Sequence, residues 1–193
     1  MPGTHGLAGW RAGGLAGTTT RDGYIERIVA GGFPMALSRT EEARNRWFDD
    51  YVRLTLERDI RELSHIRQGA VLPRLLGRLA GQTAQVLNVT KSASTIDLDA
   101  RTADAYVRLL EAVFLVQRLP AWGRTLTARS AATPKIHVVD SGVAARLLRL
   151  TPSKLMRHEP APSTELGHLV ETFVVGELLR QASWLDHAST TGH

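Results

Sequence analysis

Glu171 and Glu177 fall on one predicted helix, with His168 one turn ahead of Glu171. A histidine and a carboxylate at that spacing can both reach one metal ion. No second His–acid pair exists to complete a coordination shell, and the other histidines are scattered without zinc-like spacing. A Glu on an amphipathic helix is otherwise a solvated charge. Asp140-Ser141-Gly142 has the outline of a nucleophile turn. It lacks the flanking glycines of a nucleophile elbow, and the same residues suit the capped start of a helix. The glycine-rich stretch from Met1 to Gly23 contains no Gly-Lys-Ser/Thr, so it cannot cradle a nucleotide phosphate as a P-loop does. With no cysteine there is no disulfide, thiolate metal site or cysteine nucleophile. The expectation is a chain with no catalytic residue, no metal and no cofactor.

What remains is charge. The 193 residues carry a formal net charge of +5, and the basic residues are nearly all arginine. That favours an anionic partner, although an Arg-, Ala- and Gly-rich composition also follows from the base composition of a genome. Between Glu111 and Asp140 there is no acidic residue, while Arg118, Arg124, Arg129 and Lys135 all fall there. A hairpin of that composition can lie along phosphates and release their counterions; the plain alternative is a solvated arginine-rich loop. Trp122 would stack on a base or plug the core beneath the hairpin. On the helix before it, Arg101 and Arg108 could reach base edges. Asp97, Asp99 and Asp104 near that helix start suit its N-terminus but repel phosphates. The candidate nucleic-acid contacts are therefore Arg101, Arg108, Arg118, Arg124 and Arg129, with protein contact as the competing use.

The elements that would position these residues are mostly helical. Met1 to Gly23 has no hydrophobic period and reads as a flexible leader. Tyr24 to Leu37 reads as a short helix broken by Gly31-Gly32-Phe33-Pro34. Thr40 caps a long helix to about Leu63, with Phe48, Val52, Leu56 and Ile60 on one face and a Glu57–Arg61 surface pair. Val71 to Ala84 is a second helix, with Leu72, Leu75, Leu76 and Leu79 inward. Asn88 to Ile96, the turn Asp97-Leu98-Asp99 and a helix from Ala100 to about Phe114 lead into Leu115 to Pro120. That order of helix, turn, helix and strand fits a winged helix. Pro134 to Asp140 is a strand. Asp140 or Ser141 caps a helix through Leu150, Thr151 to Ser163 is a loop, and a last helix opens at Thr164 or Glu165. Leu169, Val170, Phe173, Val174 and Leu178 form its apolar side. No apolar run is long enough to span a bilayer, and no secretory signal opens the chain. A cytoplasmic location without a membrane partner is expected.

Several short pieces in order carry a resemblance over most of the chain from Tyr24 onward. They are Gly31-Gly32-Phe33-Pro34, Leu56-Glu57-Arg58-Asp59-Ile60, Leu87-Asn88-Val89, Tyr106 with Leu109-Leu110-Glu111, and Phe114-Leu115-Val116 through Leu119-Pro120-Ala121-Trp122. Val138-Val139-Asp140-Ser141-Gly142 and Glu171-Thr172-Phe173-Val174-Val175 follow. Together they resemble the domain of unknown function that follows the ATPase module in bacterial and archaeal AAA-type ATP-binding proteins. The resemblance implies a winged helix followed by a segment similar to restriction-type nucleases. In that segment a helical Glu, here Glu171, is joined by an Asp and a Glu-x-Lys on a hairpin. It also implies that this chain is truncated at both ends, without the ATPase and without the acidic and lysine groups. Ser92 stands where the family places an apolar residue, Asp97 at the turn glycine, and Ala103 where a β-branched residue is common.

The expected fold is mostly α with a small β component. A flexible leader (1–23) precedes a helical region with a winged helix-turn-helix (24–133) and an incomplete nuclease-like α/β segment (134–193). The expected function is non-catalytic: weak nucleic-acid binding through the winged helix. The alternative is a protein-interaction module that binds an ATPase subunit or itself. The last helix should be poorly covered, leaving an apolar face exposed.

Overall fold

A computed structural model of the chain describes residues 20–60, 70–122, 132–157 and 159–190, without the side chains of 185–190. The described residues are mostly helical, with one three-stranded antiparallel sheet. Helix α1 (Arg21–Ala30) begins ahead of the expected Tyr24 because Thr20 caps it, its hydroxyl accepting from the Gly23 N–H at 3.2 Å. The chain reverses at Gly31, whose φ of 73° lies in the left-handed region that favours glycine. The one-turn α2 (Pro34–Leu37) starts on proline, which has no N–H to leave unsatisfied there. Helix α3 (Glu41–Leu54) is capped by Thr40 as expected, with Glu41 and Glu42 favourably placed at its positive end. It continues through a π-helical turn (Thr55–Asp59) to Ile60. Phe48, Leu56 and Ile60 are buried along it. Arg61, the expected partner of Glu57, lies outside the described residues; Glu57 pairs with Arg53 at 3.3 Å.

Helix α4 (Val71–Ala80) buries Leu72, Leu75, Leu76 and Leu79, the four residues whose spacing predicts an inward stripe. A short strand β1 (Gln85–Val86) precedes α5 (Val89–Ser94), capped by Asn88, and α6 (Ala100–Ala112), capped by Asp99. The turn between these helices places Asp97 at φ 56°, a conformation that the short Asp side chain tolerates better than most. Ser92 is buried but satisfied by the Gln82 amide at 2.5 Å, and Ala103 is fully buried. Strand β2 (Val116–Leu119) and strand β3 (Lys135–Val138) complete a sheet of order β1-β3-β2. Val116 lies opposite Val138 and Arg118 opposite Ile136. The expected order of helix, turn, helix and strand is present.

The stretch 151–163 is not one loop. Pro152 opens a one-turn helix α8 (Pro152–Leu155), and Pro160 opens the last helix, α9 (Pro160–Thr190), ahead of the expected Thr164. Proline breaks a helix interior but fits its first turn, so these prolines mark helix starts. Between β3 and α8 lies α7 (Ser141–Leu147), capped by Asp140.

Two hydrophobic cores meet at Tyr51, Val52 and Leu147, which touch both. One gathers Leu56, Ile60, the α4 leucines, Val107, Leu110 and Ile136. The other gathers Ile25, Ile28, Phe48, Val138, Val143, Leu155 and Leu169. The successive residues Ile136, His137 and Val138 are all buried. Side chains alternate along a strand, so β3 is covered on both faces. Above the second core, Trp47 stacks on Tyr51 with centroids 5.5 Å apart, and Phe33 tilts against both rings.

Candidate interaction surfaces

Of the five candidate arginines, three are described. Arg101 is exposed on α6 and enters none of the ion pairs among the described residues. Arg108 is paired with Asp104 one turn before it. Arg118 on β2 is held from two sides: its Nη2 lies 2.5 Å from Glu111 Oε2 and its Nη1 3.3 Å from Asp104 Oδ1. Glu111 also accepts the Arg118 backbone N–H at 3.0 Å, so side chain and strand are fixed together. The paired carboxylates push the Arg118 guanidinium still further above its ordinary value. Nε and Nη2 both donate to the one oxygen Oε2, so the partly buried guanidinium is held by charge-assisted bonds and is poorly placed to turn toward a ligand. Arg124 and Arg129 lie outside the described residues. Trp122 does not plug the core; it is 84% exposed.

The last helix has two unlike faces. Leu169 and Thr172 point inward and are fully buried. Val170, Val174 and Leu178, spaced by one helical turn, are 40%, 46% and 58% exposed, and Trp184 is 68% exposed. The apolar face expected to lack cover is there, but it is narrower than expected, because Leu169 and Phe173 pack into the second core.

Between α9 and β3 runs a buried polar seam. The hydroxyls of Thr83 and Thr172 are 2.9 Å apart, and Thr83 Oγ1 accepts the Val138 N–H at 3.1 Å. His137 Nδ1 lies 3.3 Å from Thr172 Oγ1. Its Nε2, fully buried, makes no hydrogen bond among the described residues, and the Glu171 carboxylate stands 3.9 Å away. That carboxylate is turned to Lys135, whose ammonium donates at 2.6 Å. Burial pulls the His137 pKa below its ordinary value, against the opposing pull of Glu171; Lys135 adds to the lowering. Glu171 is therefore one arm of an ion pair at the edge of the seam. No group of three or more metal-ligating side chains occurs among the described residues. Sequence reasoning missed this seam; its only signal was a histidine set among β-branched residues.

Two of the sequence motifs meet. The Asp140 carboxylate accepts N–H groups from Gly32 at 2.6 Å, Gly142 at 2.8 Å and Val143 at 3.0 Å. Burial pushes the Asp140 pKa up, while these three N–H groups and the nearby Arg180 oppose that rise. Asp140 thus caps α7 and ties it to the Gly31-Gly32 turn. Ser141, the residue in the nucleophile-like position, is buried and donates its hydroxyl to the Ile28 carbonyl at 2.7 Å. That bond ties the start of α7 to the backbone of α1.

The fold and surfaces define a mostly helical protein with a small antiparallel sheet, an exposed apolar stripe on its last helix and a polar seam between that helix and the central strand. The chain belongs to a family described as a domain of unknown function (DUF8612), whose model matches residues 21–154. It is 29% identical over 169 residues to uncharacterized proteins of Mycobacterium bovis and Mycobacterium tuberculosis. The match takes in 85% of this chain and 37% of each relative, so the chain spans little over a third of their length. No solved structure matches it. Among the described residues, no helix is long and apolar enough to cross a membrane.

Proposed function

We propose that this chain is a non-catalytic interaction module that pairs with a second copy of itself through the outward face of α9. The carrying observation is the exposed stripe Val170, Val174 and Leu178, with Trp184 exposed further along the same helix. Scattered exposed apolar residues are ordinary on a protein surface, but an aligned row on one helix is not. A row spaced by four packs into the matching row of an identical helix, and a twofold pairing buries both rows at once. An AAA-type ATPase subunit is the other candidate occupant, on the strength of the family resemblance. Light scattering across a concentration series tests the proposal. A mass that rises with concentration, and returns to the monomer in Val174→Glu/Leu178→Glu, is expected. A monomer at every concentration overturns self-pairing.

Nucleic-acid binding is the second reading, favoured by the helix pair flanked by the β1-β3-β2 sheet, which has the element order of a winged helix-turn-helix. Charge weighs against it over the described part. Arg108 and Arg118 are already paired with Asp104 and Glu111, and Asp97 and Asp99 add negative charge at the same helix start. Each phosphate contact needs a free cation. A salt titration of DNA affinity, with Arg101→Ala and Arg124→Ala/Arg129→Ala, tests this reading. An affinity indifferent to salt and to those changes removes it.

A further inference from the structure

Helix α4 presents Arg74 and Arg78 one turn apart on its outer face, both exposed. Like charges at that spacing repel each other along a helix. Neither side chain is in an ion pair or hydrogen bond among the described residues, and α4 contains no acid to neutralise them. They flank a shallow groove of about 290 Å³, whose remaining lining is Pro73, Gly77 and Ile96. Ile96 is buried and belongs to the first core, so the groove floor is continuous with that core.

Gly77 is the second, independent observation. Glycine inside a helix weakens it relative to alanine, through backbone entropy. A tight contact within the fold would justify it, but a Cβ built there meets nothing within 4 Å. Among the described residues the missing side chain serves no packing need. What it leaves is an open floor between two guanidiniums, where another backbone can approach closely.

We infer that this groove receives an acidic helical segment of a partner protein. The segment lies over Gly77, and two of its carboxylates, one turn apart, meet Arg74 and Arg78. The spacing of carboxylates on such a helix matches that of the two arginines, and guanidinium suits paired recognition of carboxylate. The lining favours polypeptide over nucleic acid: Pro73, Gly77 and Ile96 offer no hydroxyl, amide or ammonium to a phosphate chain, but do offer apolar surface to a small side chain. The surface is separate from the outward stripe of α9, so it stands or falls independently of self-pairing.

The test is fluorescence anisotropy with the full chain. The probe is a labelled alanine-rich helical peptide of about four turns carrying glutamates one turn apart. Its Gln analogue and a single-stranded oligonucleotide serve as comparison probes. The Glu peptide should bind, weaken as salt rises, and weaken by about tenfold or more in Arg74→Ala/Arg78→Ala. Gly77→Leu changes no charge and raises helix propensity, so it tests the groove itself; it should weaken the peptide to a similar degree, with helical circular dichroism retained. No binding of the Glu peptide, equal binding of the Gln analogue, or affinity unchanged in Gly77→Leu overturns the proposal. Binding of the oligonucleotide alone overturns it in favour of a phosphate site.

Discussion

Asp140 and Gly31 are in such close contact that a Cβ on residue 31 would stand 2.3 Å from the Asp140 Oδ1. Gly31 also has a positive φ of 73°, so an added methyl is opposed both by its own backbone and by the carboxylate. Asp140 cannot withdraw, because that oxygen caps α7 through the N–H groups of Gly142 and Val143. Gly31→Ala should therefore cost about 2 kcal/mol or more of folding stability. Urea unfolding checks this, and a change within the error of the method would contradict the contact.

Asp140→Asn makes a finer test of the same junction. An amide offers one acceptor where the carboxylate offered two oxygens, so one of the capped N–H groups meets an NH2 donor instead. Leaving a buried donor unmet costs about 1–3 kcal/mol. The variant should unfold earlier in urea than wild type even though burial disfavours the native charge at this position.

His137 makes stability depend on pH. Its pKa in the folded chain lies below the ordinary 6.5, chiefly because burial penalises the imidazolium. Below about pH 6.5 the unfolded chain therefore binds more protons than the folded one. The stabilisation is complete above the unfolded value and declines as pH falls from there toward the lowered native value. The urea midpoint of wild type should drop between about pH 7.5 and about pH 5.5. In His137→Asn, which keeps a hydrogen-bonding partner for Thr172, that part of the slope should disappear. A slope identical in both proteins would place the titration elsewhere.

The Glu111–Arg118 pair separates a structural arginine from a ligand-binding one. If Arg118 serves the sheet, Glu111→Gln should destabilise the fold, because a partly buried guanidinium loses its charged partner. If it serves DNA, the same change frees a cation and should raise DNA affinity and steepen its salt dependence by about one phosphate contact. Measuring both quantities on one variant decides between the two roles, and the geometry predicts the first.

Helix starts were legible because a cap is a local event. Thr40, Asp99 and Asp140 each bond N–H groups two or three residues ahead, and the α4 leucines declare their face by spacing alone. Charges misled for the opposite reason. Arg118 and Glu111 are brought together by the turn at Phe114, which has a positive φ of 55° that no local pattern signalled. Lys135 and Glu171 meet only because α9 packs on β3. An arginine-rich stretch read along the chain looks free, while in the fold part of it is already neutralised. The prolines of 151–163 read as breakers, although position in a first turn reverses their meaning.

On α9 the contrast between neighbouring turns is itself predictive. Leu169 is fully buried in the second core, whereas Leu178 lies mostly in solvent. Leu169→Ala should cost about 2–5 kcal/mol, as a buried leucine truncation does. Leu178→Ala should change monomer stability by about 0.5 kcal/mol or less, since it gives up little burial within the chain. If Leu178→Ala instead lowers the urea midpoint at high protein concentration and leaves it unmoved at low concentration, the lost burial is between molecules, because stability that depends on association follows mass action. A large effect at every concentration would mean that this face is already covered within one chain.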